Sequence, residues 1–285
     1  MNILITGANG QLGNEMRVLS EVHPKHRYFF TDVVSAEGTY VLDITDKAAV
    51  SAFVEEHAID LIVNCAAYTN VDKAEEDEVT AMKINANALS VLGSQGVKVI
   101  HVSTDYVFSG DEHLPCRETD PVAPRTAYGR TKYAGEKNLL AVCPEAVILR
   151  TAWLYSTYGN NFVKTMIRLG REKETLGVVF DQIGTPTYAA DLAAAIFTVI
   201  EHHVWQPGIY HFTNEGVCSW YDFTIAIHEL AGITTCHVLP ISSEEYQYKT
   251  PRPHYSVLDK SKFKKTFDVE IPYWMDGLRR CVKKL

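Results

Sequence analysis

In the stretch TAYGRTKYAGEK, residues 126–137, Tyr128 and Lys132 stand four positions apart. On a helix that spacing sets a phenol and an ammonium side by side on one face. The stretch follows DPVAPR, whose two prolines stop and restart the backbone. A free tyrosine, with a pKa near 10, is a poor acid–base group at neutral pH. Bringing it toward 7 takes about 4 kcal/mol of preferential phenolate stabilisation, which a close ammonium can supply. Alone, YxxxK is common on solvated helix faces, so its meaning depends on what surrounds it.

Upstream, the run KVIHVSTDYVF (98–108) places Ser103, Thr104 and Asp105 at a strand end. Open α/β sheets bind ligands at that carboxyl edge. A hydroxyl from this edge and the Tyr–Lys pair from the next helix converge on one point. Carbonyl reduction needs a hydride donor there, a proton donor for the developing alkoxide, and hydrogen bonds to its oxygen.

A binding place for the hydride donor is written at the start. ITGANGQLGNEM puts Gly7, Gly10 and Gly13 after an apolar strand, with Gln11 and Leu12 opening a helix. That GxxGxxG spacing allows a tight turn, close approach to a pyrophosphate, and a helix N-terminus that attracts anions. Asp32, ending the second strand, is placed to hydrogen-bond an adenosine ribose, which favours NADH over NADPH; a strand-ending turn residue is the other reading. Asp43 and Ile44 in LDIT are expected near the adenine. Ala66, Ala67 and Tyr68 in CAAYT, with Val102, are expected beneath the cofactor; packing of the small alanines against a helix is an equal alternative.

The elements that must carry these residues alternate. Apolar runs at 2–7, 27–32, 60–67, 98–108 and 146–155 read as strands, and 10–22, 46–58, 72–95 and 126–143 as helices. Strands apolar on both faces between helices predict a doubly wound, Rossmann-type parallel sheet. Beyond 155 the spacing predicts helices over 159–174, 188–203, 219–233 and 273–285, and strands within 176–187, 208–214 and 237–242. Residues 1–153 with roughly 187–213 are expected to form the dinucleotide-binding domain. Roughly 154–186 with 214–285 would form a smaller mixed α/β substrate lobe.

Composition narrows the class. A net charge of −8 over 285 residues argues against a nucleic-acid binder. The run LAAAIFTVI (192–200) is far below bilayer length, and MNILITGANG lacks a basic n-region and a secretory h-region. Six cysteines without a CxxC pair read as free thiols in a reducing compartment, and a cytoplasmic location is expected. The histidines, His101 included, show no ligand spacing and read as structural or surface residues.

The ordered set TGANGQLG, VNCAAYTNVDKAE, STDYVF, AYGRTKYAGE, RTAWLY and RPHYSVL resembles the extended short-chain dehydrogenase/reductases, and among them the dTDP-4-dehydrorhamnose reductase family, over residues 1 to about 280. The resemblance implies Tyr128 as proton donor, Lys132 as its partner, and Thr104 as the hydroxyl on a 4-keto oxygen. Asp105 and Trp153 would touch the sugar, and Arg252 is the candidate for a nucleotide diphosphate. Asn161 is a second substrate candidate, or an N-cap. Some family members hold magnesium at a dimer interface through carboxylates on the first helix and near the PTYAADL helix. Here Glu15 remains while position 190 is Ala190, with Asp191 next door, so no structural metal is expected. Monomer and homodimer both stay open. Rival readings are a reductase, epimerase or dehydratase for another nucleotide sugar, and a non-catalytic subunit like the reductase-like regulators of methionine adenosyltransferase.

Overall fold

Strands β1 (Asn2–Thr6), β2 (Arg27–Asp32), β4 (Leu61–Asn64), β5 (Lys98–Thr104) and β6 (Val147–Thr151) occupy the five apolar runs of the computed structural model, which describes residues 1–246 and 248–285. With the short β3 (Tyr40–Val41) and the late β11 (Gly208–His211) they form a seven-stranded parallel sheet of order β11-β6-β5-β4-β1-β2-β3. Every residue of β4 and of β6 is buried, as both-face coverage requires.

Alternation along each strand divides the core in two. Ile3 and Ile5 face α1 (Gln11–Ser20), α8 (Ala189–Glu201) and α10 (Ser261–Phe267). Leu4 and Ile62 face α2 (Lys47–Glu56), α5 (Ala88–Gly93) and α6 (Ala127–Val142). A third cluster lies apart from the sheet. It joins α7 (Phe162–Glu172), α9 (Trp220–Leu230) and α11 (Trp274–Val282) around Phe223, Trp274 and Leu278. There β8 (Thr175–Val179) pairs with β13 (His237–Ile241) in parallel, and β9 (Ile183–Gly184) pairs antiparallel with β12 (Cys218–Ser219).

Three expectations need correction. The single helix read over 72–95 is instead α3 (Val71–Glu76), α4 (Glu78–Met82), a π-helical turn over 83–87, and α5. Asp77 breaks it by capping α4, accepting from the Thr80 N–H at 3.0 Å. The π turn lets Asn85 bond the Tyr68 backbone through both ends of its amide. The strand read over 146–155 divides at Trp153, whose φ is +49°; its tail, β7 (Leu154–Tyr155), pairs with β10 (Thr187–Tyr188). Finally, Phe263, Phe267 and Ile271 pack into the sheet core beside α8, outside the smaller lobe expected over roughly 214–285.

All six cysteines are unpaired. Among the described residues no helix is long and apolar enough to cross a membrane.

Candidate active site

A cleft of about 800 Å³ opens at the carboxyl ends of β1, β4, β5 and β6, over the point where strand order reverses between β1 and β4. It gathers most of the predicted residues. Gly7, Gly10, Gln11, Leu12, Asp32, Asp43, Ile44, Ala66, Ala67 and Val102 line one part. Thr104, Asp105, Tyr128, Lys132, Trp153 and Asn161 line the rest.

The glycines act differently from one another. Gly7 turns the chain at φ +64°, and a Cβ there would lie 2.6 Å from the Ala66 nitrogen. Gly10 caps α1, leaving its first N–H groups open to the cleft. Gly13 does not line the cleft. A side chain there would strike the Gly7 carbonyl and Ala8, so this glycine lets α1 sit close on β1. Asp32 accepts from the Asn9 N–H at 3.1 Å and the Val34 N–H at 3.2 Å, which fixes its carboxylate at the strand end. Asp43 accepts from the Thr45 N–H at 2.8 Å, which holds its carboxyl below the usual range.

Tyr68 is a second correction to the cleft lining. Its ring packs against Ala74, Ala81 and Ala127, behind the wall instead of on it.

At the reacting end, Thr104 Oγ1 donates to Asp105 Oδ1 at 2.9 Å, and both residues are buried. Burial pushes the Asp105 carboxyl up to about 6, against the opposing hydrogen bonds of Ser256 and Thr104. Tyr128 stands on the first turn of α6, which Thr126 caps by accepting from the Gly129 N–H at 3.0 Å. Its ring meets Tyr106 edge-on at 5.4 Å. Burial pushes the phenol up to about 12, with the neighbouring Thr104 hydroxyl acting the other way. The expected depression is absent because Lys132 does not aim at the phenol. Its Nζ donates to the Val102 carbonyl at 2.7 Å and lies 3.3 Å from His101 Nε2. Burial lowers the lysine to about 8, with Glu136 opposing. Sharing a helix face did not make the two head groups partners, and at neutral pH the phenol keeps its proton.

His101 is the residue the sequence reading missed. Its signal was alternation: His101 and Ser103 share one face of β5, and they meet Lys132 and Glu136, which share one face of α6.

Toward the third cluster a second cavity of about 280 Å³ is walled by Phe162, Met166, Leu176, Val178, Trp220 and Tyr248. Trp153 lies between the two spaces, stacked on Trp220 at 3.5 Å and 10°. Arg252 borders this cavity and not the cleft. Its Nη2 donates to Asp72 Oδ2 at 2.9 Å. Asn161 serves as the N-cap of α7, accepting from the Lys164 N–H at 3.2 Å, and its amide also donates to Gln11 at 3.1 Å.

The family model described as RmlD substrate binding domain matches residues 1–285. The dTDP-4-dehydrorhamnose reductase of Escherichia coli (strain K12) is 38% identical over 301 residues, covering 100% of this chain and 98% of that one. A Streptomyces antibioticus protein named as a probable dTDP-4,6-dihydroxy-2-methyloxan-3-one 4-ketoreductase is 41% identical, covering 99% and 94%. The crystal structure of dTDP-4-dehydrorhamnose reductase from Bacillus anthracis str. Ames in complex with NADP matches with a TM-score of 0.91 at 39% identity, covering 100% and 99%. Likeness of this extent, on a sheet that brings the glycine loop, Thr104, Tyr128 and Lys132 to one cleft, makes the chain a member of the dTDP-4-dehydrorhamnose reductase family.

Proposed function

We propose that this chain reduces the 4-keto group of dTDP-4-dehydro-L-rhamnose, using NADH or NADPH, to give dTDP-L-rhamnose. The observation that carries the reading is the meeting of the Gly7 turn with a protonated Tyr128 and a Thr104–Asp105 pair in one cleft. The cofactor fits the residues present: a Cβ at Gly7 would fill its cradle, and the α1 N-terminus faces the space a pyrophosphate needs. When bound, the cofactor supplies the hydride.

The chain's own residues do the remainder. Tyr128 gives its proton to the oxygen that becomes an alkoxide; although burial makes the phenol a weaker acid, an alkoxide is the stronger base and takes the proton. Thr104, its hydrogen directed at Asp105 and one lone pair accepting from the Tyr106 N–H at 3.3 Å, keeps one lone pair to accept from the phenol and orient it. Lys132 offers a remaining N–H to the nicotinamide ribose. Asp32 takes the adenosine ribose and inclines the site to NADH. The aromatic cavity beyond Trp153, with Arg252 at its edge, receives the nucleotide end of the substrate. Residues 154–186 and 214–260, with α11, act as the substrate lobe.

A magnesium ion does not fit between Glu15 and Asp191, where the family resemblance would put one. Both Asp191 oxygens accept from Arg280, at 2.8 and 2.7 Å, and Asn214 adds a third hydrogen bond. Glu15 accepts from Ser156 at 2.6 Å. The cation there is a guanidinium, so we propose a metal-independent enzyme.

One observation favours a second reading, the same chemistry on another dTDP-4-keto-6-deoxy sugar: the relative named as a 4-ketoreductase is as similar as those named for dehydrorhamnose. Cofactor oxidation with dTDP-4-dehydro-L-rhamnose, set beside dTDP-4-keto-6-deoxy-D-glucose, tests both. Higher kcat/KM on the first supports the main reading; turnover of the second alone replaces it, and turnover of neither removes both.

A further inference from the structure

We propose that His101 is a positioning residue for Lys132, accepting one of its ammonium hydrogens and so directing another into the cleft. The proposal rests on the reductase reading only in taking Lys132 as a cofactor contact.

The contact is built into the sheet register. Thr6 lies beside Asn64, and Asn64 beside His101, across the adjacent strands β1, β4 and β5. Their side chains form a continuous buried row. Thr6 Oγ1 is 2.5 Å from Asn64 Oδ1, Asn64 Nδ2 is 3.0 Å from His101 Nδ1, and His101 Nε2 is 3.3 Å from Lys132 Nζ. None of the four residues is more than 1% exposed.

Donor arithmetic fixes the protons. An ammonium has hydrogens and no lone pair, so a ring nitrogen facing it must accept. His101 is neutral, because burial and the Lys132 charge hold its pKa well below the usual value. Its single ring hydrogen therefore sits on Nδ1, and that hydrogen needs an acceptor. Turned end for end, the Asn64 amide presents Oδ1 to the ring and its NH₂ group to the Thr6 hydroxyl oxygen, which gives the ring hydrogen its acceptor. Two of the three ammonium hydrogens are then held by Val102 and His101. The third is left for the cleft.

Among the described residues no other titratable neighbour replaces this acceptor. The other titratable groups acting on Lys132 are Glu136 and Cys65. Glu136 already accepts from Ser103 and, through both oxygens, from Arg150. The Cys65 thiol is held protonated by burial.

The test compares wild type with His101→Leu, which has no acceptor, and His101→Gln, which keeps one. NADH and NADPH dissociation constants are read by fluorescence across the pH range in which Lys132 titrates. Losing an acceptor to a buried ammonium is expected to weaken cofactor binding about tenfold in His101→Leu and to move the alkaline limb to lower pH. His101→Gln should restore both. Wild-type values in a folded His101→Leu protein, or equal losses in the two variants, overturn the proposal. Should His101→Leu not fold, ¹⁵N spectra of the wild-type ring decide: a protonated Nδ1 supports the proposal and a protonated Nε2 sinks it. Because binding is the readout, a wild type that binds cofactor but reduces no keto-sugar removes the reductase reading and leaves this comparison decisive.

Discussion

Asp72 on α3 and Arg252 in the Pro-rich turn 249–256 form an ion pair at 2.9 Å, joining parts of the chain 180 residues apart. Each keeps one buried polar atom, Asp72 Oδ1 and Arg252 Nη1, without a partner among the described residues. A planar guanidinium with one arm unengaged, beside an aromatic cavity, suits a pyrophosphate. Arg252→Ala should therefore raise the KM for the nucleotide sugar by about 10- to 100-fold, the worth of one charge-assisted hydrogen bond. Steady-state kinetics check it, and a wild-type KM would release Arg252 from substrate binding.

Tyr128→Phe removes the hydroxyl proposed to give the proton and leaves the ring's packing against Tyr106 and the buried alanines. Turnover should fall by about 10²- to 10⁴-fold with the cofactor dissociation constant unchanged. Full activity in the variant would place the proton elsewhere.

Two shifted groups give the pH profile its limbs. Burial raises the Asp105 carboxyl to about 6, so the carboxylate that accepts from Thr104 exists only above that pH. Burial lowers Lys132 to about 8, so its ammonium persists only below that pH. Activity should rise through about 6 and fall through about 8, as apparent values of a coupled site. Asp105→Asn should remove the acid limb alone. The linkage for folding runs against the carboxylate: a raised acid pKa favours the protonated folded state, so Asp105 lowers stability as pH climbs from its unfolded value through about 6. In Asp105→Asn, thermal melts should lose that slope.

On the proposed ribose role of Asp32, Asp32→Ala should weaken NADH more than NADPH, since a carboxylate there would bond ribose hydroxyls and repel a 2′-phosphate. Paired titrations of the two cofactors decide it, and equal losses would detach Asp32 from the ribose.

Glu136 and Arg150 form a buried bidentate pair at 2.9 and 2.7 Å, with Ser103 on the same carboxylate. Glu136→Ala leaves an uncompensated guanidinium in the core and should cost about 3–5 kcal/mol. At a few degrees per kcal/mol, the melting temperature should drop by about 10 °C.

Much of this architecture was legible because its signals are local. Apolar runs of β length between amphipathic stretches fixed the parallel sheet, and strand–turn–helix context gave the glycine loop its meaning. What escaped depends on distant partners. Asp77 and Asn85 break the long helix through a cap and a tie to Tyr68, neither of which changes the period of the apolar residues. Tyr68 and Gly13 carry the right motif, yet one backs a wall and the other permits close packing. The Tyr128–Lys132 spacing gave the shared face correctly but not the direction of the ammonium, which the Val102 carbonyl and His101 decide from another element.

Trp153 holds a left-handed backbone, borders both the cleft and the aromatic cavity, and stacks on Trp220. A molecule that reaches Trp153 from either space therefore meets the same stacked pair of indoles. The protein thus carries its own optical reporter: a ligand seated against Trp153 from either space would perturb the Trp153–Trp220 pair, read without a label over the background of Trp205 and Trp274.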